Sequence, residues 1–440
     1  MLEDAQGLEV TTDSPVAIAA INCFTDQALS YGKDVEVALN QGIAADPTCA
    51  MIHAYAAAHF LSKENAIGWK KANRHLQAAQ QYLAEITNRE RLYVHAIAAW
   101  SVKAINRAIA LHEAIADKFP RDLISVQQGQ YHYFYLGDQE RLLKIAEKVL
   151  PANRENHYVY GMVAFGLEQC HRLVEAEIMG RTAVAMNRHD PWAQHAVAHV
   201  IETQGRVDEG IAWMESLADT WENCNSMLYT HNWWHVALYY LEQGDEQKVL
   251  DLYDTHVWGR AQKESPKDQV GAISLLLRLE LRGIDVGERW QKLSAYLLPR
   301  LHEHALAFQD LHFIYAFAKA GHSDWATQME ISMQKHAEIV HPSLRQSWSV
   351  VAIPAARGMV AHANRDWSTA IAELKSLLPR LHQIGGSHAQ RALFEQVYLD
   401  AQLHEGQTHG PTPFLKKRSA THRHAASIQT RSAAISKNKV

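Results

Sequence analysis

The chain has 440 residues, 47% of them hydrophobic and 21% charged, with a formal net charge of −5; this suits a large buried core and is too apolar for a disordered chain. No apolar run approaches the roughly 18 residues of a bilayer span, and the opening MLEDAQGLEVTTDSP has neither the basic start nor the apolar centre of a secretory signal, so no membrane association is expected and the cytoplasm is the default. Four cysteines, Cys23, Cys49, Cys170 and Cys224, without CxxC spacing, suggest neither a disulfide framework nor a thiolate zinc site.

In chain order, residues 1–14 read as a flexible lead. From 15 to about 403, apolar residues recur at intervals of three and four, with alanine at many close-packing positions and no sustained strand-type alternation. The fold class is all-α. Helix-to-helix turns are expected near Tyr31-Gly32, Val102–Asn106, Gly137-Asp138, Cys170–Arg172, Gly205-Arg206, Gly244-Asp245, Gly283, Gly321 and Arg365-Asp366. The central ones recur at intervals of 34 to 39 residues, and a two-helix unit of about 34 residues has the period of a tetratricopeptide repeat. Prolines at Pro47, Pro120 and Pro191 stop one helix and start the next. A single such unit cannot bury its apolar face, so neighbours must stack, and residues 15–405 are expected to form one right-handed solenoid of antiparallel hairpins with a concave side. Residues 406–440 read as a basic disordered tail. Residues 411–440 hold seven Lys/Arg and no Asp/Glu, leaving 36 basic against 48 acidic residues before them. Seven dispersed cations do not make a nucleic-acid site, and none is expected.

Several segments are longer and more unusual than a generic repeat. They are TNRERLYVHA (87–96), YHYFYLGD (131–138), YGMVAFGLEQC (160–170), HDPWAQHAVAHVIETQGR (189–206), THNWWHVALYYLEQGD (230–245), SLLLRLELRG (274–283), FQDLHF (308–313) and GGSHAQRALFEQ (385–396). In these the chain resembles the tetratricopeptide repeat protein 38 family, over residues 15 to about 403. The resemblance implies a helical solenoid and no particular activity.

The candidate site is a pair of HxxxH patterns, His195/His199 and His231/His235. On a helix, positions i, i+4 and i+7 share a stripe, so His195, His199 and Glu202 point one way. With Gly205 and Gly244 at the turns, both stripes fall on first helices at groove-facing positions, with Asn232 beside them. Three readings stand side by side. One is a pocket for a small polar or anionic molecule, with His199, Glu202 and His231 as candidate acid–base groups and His195, Asn232 and His235 as ligand contacts. A second is a metal-dependent hydrolase holding a divalent ion such as zinc on His195, His199, His231 and His235. The third is a scaffold binding a partner protein's peptide. Asp310 and His312 join the same site only if Asp310 caps its helix, being two residues apart. Ser387 and Gln390 have capping-box spacing, and with Arg391 they offer a helix start suited to an anion. Arg278 and Glu280 interrupt an apolar run, so one of them should face the groove or an ion pair. No Walker loop, dinucleotide fingerprint or GxSxG elbow is present.

Overall fold

The computed structural model describes residues 1–406, and the basic tail expected beyond them lies outside the described residues. Ten helical hairpins follow one another. They are α1 (Pro15–Leu29) with α2 (Val35–Ala45), α3 (Ala50–Leu61) with α4 (Ala66–Gln80), α5 (Asn88–Ser101) with α6 (Ile105–Lys118), α7 (Leu123–Leu136) with α8 (Gln139–Val149), and α9 (His157–Gln169) with α10 (Leu173–Met186). Next come α11 (Pro191–Thr203) with α12 (Val207–Glu215), α13 (Ser226–Gln243) with α14 (Glu246–Leu252), α15 (Pro266–Leu281) with α16 (Arg289–Ser294), and α17 (Ala307–Lys319) with α18 (Ser323–Ile339). In the tenth, α19 (Pro342–Ser347) and α20 (Ile353–Ala363) join through a π-helical turn, Trp348–Ala352, and pair with α21 (Trp367–Lys375); α22 (His388–His404) closes the series. Pro354 has no N–H to donate, and the wider turn lies just before it.

One backbone device makes all ten hairpins. Each inter-helix turn carries a residue with positive φ: Tyr31, Glu64, Lys103, Gly137, His171, Gly205, Gly244, Gly283, Gly321 and Arg365. This left-handed residue reverses the chain within three or four residues. Half of these positions are not glycine, and the turn at Glu64 is one that the sequence reading did not anticipate. The all-α helical-repeat architecture expected from the sequence is the one observed.

Where a single domain was expected, the chain divides into two compact units, Met1–Val197 with Asp219–Tyr229 and His336–Gln346, and Ala198–Ala218 with Thr230–Lys335 and Ser347 onward. In the first unit the expected flexible lead is an ordered two-stranded hairpin, β1 (Leu2–Glu3) and β2 (Glu9–Val10). The reason is a buried cation. Arg89, 2% exposed, donates to Asp122 at 3.0 Å and to the Glu9 carbonyl at 3.1 Å, with Asp4 at 3.8 Å. Glu90 accepts from the Thr11 hydroxyl and backbone while completing the Thr87 capping box of α5. The unit also folds back on itself: α1 packs on α7, and Tyr158 on α9 donates to Asp26 on α1 at 2.8 Å.

In the second unit α15 and α17 are buried along nearly their whole length. The last helix, α22, packs against α15 as well as α21, and Arg278 of α15 donates to the Ala389 carbonyl at 2.7 Å. This return of the chain explains a departure from expectation: the histidine stripes, expected on an open groove, are largely buried.

Candidate metal centre

α11 and α13 carry the two HxxxH patterns. Within the second unit, α13 is fixed by the Tyr239 hydroxyl, which donates to the Ala198 carbonyl at 2.6 Å, and by Thr230, which donates to Asp268 of α15 at 3.1 Å. His199 and His235 are 1% and 0% exposed, and His231 is half-buried and opens the cluster to solvent. The rings of His199 and His235 meet edge to face at 4.5 Å, and those of His231 and His235 at 4.9 Å. Each of the three imidazoles offers a nitrogen within 4.8 Å of the others. A tetrahedral zinc ion with Zn–N bonds of about 2.0–2.1 Å needs about 3.3 Å between ligand nitrogens, a difference that small ring rotations make up.

Electrostatics favour neutral rings, the form that ligates metals. Burial drives His199 and His231 well below the ordinary imidazole pKa, and the neighbouring His235 adds to this. His235 is lowered to about 3 by burial, with the Arg278 guanidinium contributing. His388 of α22 helps keep His199 neutral. Glu202, three residues after His199, accepts from His235 Nδ1 at 3.1 Å. The proton therefore sits on Nδ1, a tautomer assigned from the bond, and Nε2 carries the ring lone pair. A carboxylate behind an imidazole in this way is the usual support of a metal ligand.

Asn232 lies between the histidines on α13, fully buried, and neither atom of its carboxamide has a hydrogen-bond partner. A buried amide left unpaired costs about 1–3 kcal/mol. Arg278, 3% exposed, stacks over Trp234 at 5.2 Å and donates to Ser274 as well as Ala389. It supplies a fixed positive charge beside His235.

The remaining expected site residues are placed as follows. His195 is one turn before His199 on α11, in the first unit, packed at 4.8 Å from Trp192 and 5.8 Å from Phe165. Asp310 and His312 part company. Asp310, in the first turn of α17, accepts from His304 Nδ1 at 2.6 Å, and burial raises its carboxyl pKa against the pull of that bond. His312 donates through Nδ1 to the Phe308 carbonyl at 2.8 Å and packs on Phe394. Ser387 and Gln390 bond one another in a complete capping box, and Arg391 bonds the Gly386 carbonyl and His388. The helix-start groups thus satisfy themselves. Glu280 pairs with Lys319 at 3.1 Å.

Sequence reasoning singled out Arg278 without joining it to the histidines, and it overlooked His388, although GGSHAQRALFEQ contains it. Arg278 reaches the cluster because α15 lies against α13, and His388 reaches it through the return of α22 onto α15.

No protein-family model matches the chain. Among solved structures, a Rap protein complexed with competence and sporulation factor aligns at 14% identity and a TM-score of 0.44, over 73% of this chain and 99% of that one. A human IFIT1 dimer with PPP-AAAA aligns at 14% identity and 0.44, over 98% and 96%. The P58(IPK) TPR domain aligns at 11% identity and 0.21, over 74% and 100%. The narrower likeness to the tetratricopeptide repeat protein 38 family rests on the sequence segments alone.

Proposed function

We propose that this helical-repeat protein binds a divalent transition metal of the zinc class on His199, His231 and His235, and uses that centre to hold a small polar molecule. The observation that supports the reading is the convergence of three largely buried, neutral imidazoles to within 4.8 Å of one another. Glu202 orients His235 from behind. Neutral imidazoles are zinc ligands, and a zinc ion held by them is a Lewis acid. Asn232, with a donor and an acceptor both unpaired, supports a ligand that presents the complementary edge, as amides and nucleobases do.

The reading is tested on full-length protein purified without a histidine tag. Elemental analysis after zinc loading and exhaustive dialysis should give about one zinc per chain, lost in a His199→Ala/His235→Ala variant whose circular dichroism is unchanged. Well under one metal per chain in the native protein after loading would overturn it.

A further inference from the structure

A second arrangement of polar side chains lies outside the histidine cluster, where the short 3-10 helix Leu298–His302 and the following loop meet α18. His304 Nδ1 lies 2.6 Å from Asp310 Oδ2, and His304 Nε2 lies 2.7 Å from Ser332 Oγ. The Asp310 carboxylate accepts the Nδ1 proton, which leaves Nε2 as an acceptor, so the Ser332 hydroxyl must donate to it. This is the order carboxylate, imidazole, hydroxyl that activates a serine nucleophile on unrelated folds.

Four further facts make the arrangement more than a chain of hydrogen bonds. His304 has φ of +44°, a strained conformation for a residue with a side chain, held where its ring bridges Asp310 and Ser332. Asp310 and His304 are 1% and 4% exposed, while Ser332 is only half-buried, so the buried pair delivers its base to a reachable oxygen. His302, exposed, has Nδ1 2.9 Å from Ser332 Oγ. With Oγ donating to His304, His302 must donate to Oγ, and that N–H stands next to where an oxyanion forms when Oγ attacks a carbonyl. Met329 and Met333, both fully buried, anchor α18 on either side of the serine.

We infer that Ser332, His304 and Asp310 form an acyl-transfer site for an uncharged, activated carboxylic ester. Ile331, beside the serine, and Leu298, four residues before His302, are exposed apolar side chains suited to an apolar acyl or aryl group. Ser332 Oγ adds to the ester carbonyl carbon as its proton passes to His304 Nε2. The carbonyl electron pair moves to oxygen and returns as the bond to the leaving phenol or alcohol breaks, and that group takes the proton from Nε2. Water then repeats the sequence, His304 accepting its proton and returning it to Ser332 as the acid departs. Ser332 and His304 are the catalytic residues. Asp310 is a positioning residue, holding the ring and its tautomer.

The test uses a fluorophosphonate probe on the full chain, which forms a P–O bond to an activated serine and expels fluoride. Peptide mass spectrometry should find the adduct on Ser332. Labelling should vanish in Ser332→Ala, a change a half-exposed helix position tolerates, and slow at least tenfold in His304→Gln. Asp310→Asn should slow labelling and flatten its pH dependence, with Asp310→Glu recovering part of both. Because His304 and Asp310 are buried, the melting temperature of each variant is measured alongside. No adduct on Ser332 of the folded native chain, or an adduct formed at an unchanged rate in folded His304→Gln, would overturn the inference.

Discussion

The Tyr239 hydroxyl donates to the Ala198 main-chain carbonyl at 2.6 Å, one residue before His199 and one helical turn after His235. A single bond thus sets the spacing of α11 and α13 at the level of two proposed ligands. Gly210 of α12 lies against the same ring, and a Cβ there would run into its edge. Tyr239→Phe should cost about 1 kcal/mol, the usual net worth of a buried hydrogen bond, and weaken zinc binding. Gly210→Ala should do more of both, because the ring has to move. Calorimetric zinc titration beside urea unfolding checks the pair; unchanged zinc affinity in both variants would detach the bond from the site.

Asn232 gives the opposite expectation for stability. Its carboxamide is buried and unpaired in the protein alone, so Asn232→Leu removes a desolvation penalty and should raise the urea midpoint, by about 1 kcal/mol or more. The stabilised variant should also lose any ligand-dependent thermal shift found in a metabolite screen. A large destabilisation would mean that the amide is satisfied in solution.

A pH response follows from two histidines of the first unit. Burial lowers His112 to about 3, and His132 falls well below the ordinary range through burial, His112 and Lys103. Both are held neutral in the fold and protonate near pH 6.5 when unfolded. Their contribution is complete above about pH 6.5 and is lost as pH falls toward 3, at up to roughly 1.4 kcal/mol per pH unit for each ring. His132→Phe, edge-on to Trp100 like the native ring, should flatten the acid slope of urea midpoints between about pH 6 and 4. An unaltered slope would exclude His132 as its source.

Asp122 both pairs with Arg89 and caps α7 through the Ser125 amide. Asp122→Ala strands a buried guanidinium and removes a cap, so a loss of about 3–5 kcal/mol is expected in urea unfolding. Adding Arg89→Met to it should recover part, since the guanidinium is gone and the Asp4 carboxylate keeps its bonds from the Gln6 and Leu8 amides.

Much of the fold was legible because repeat periodicity is a local signal. Glycine marked the turns at 137, 205, 244, 283 and 321, and apolar spacing marked the helices. The turn at Glu64, whose left-handed residue is not glycine, escaped, whereas those at Lys103, His171 and Arg365 were anticipated. The His199, His231 and His235 grouping could be anticipated from i,i+4 spacing on consecutive first helices. Their burial could not, because it depends on α22 returning to α15, a contact between residues more than 100 positions apart. His304 and Ser332 escaped for the same reason: their partnership joins a loop to the middle of a helix 28 residues on.

The hairpin at the start of the chain has a bearing on how the protein is handled. Two of the oxygens facing the Arg89 guanidinium, those of Asp4 and the Glu9 carbonyl, come from the first ten residues. A shortened version begun at the first helix, the natural choice from helical periodicity alone, would cut through an electrostatic knot and leave α5 with a half-neutralised cation in its core. Expression boundaries for this protein belong upstream of Asp4.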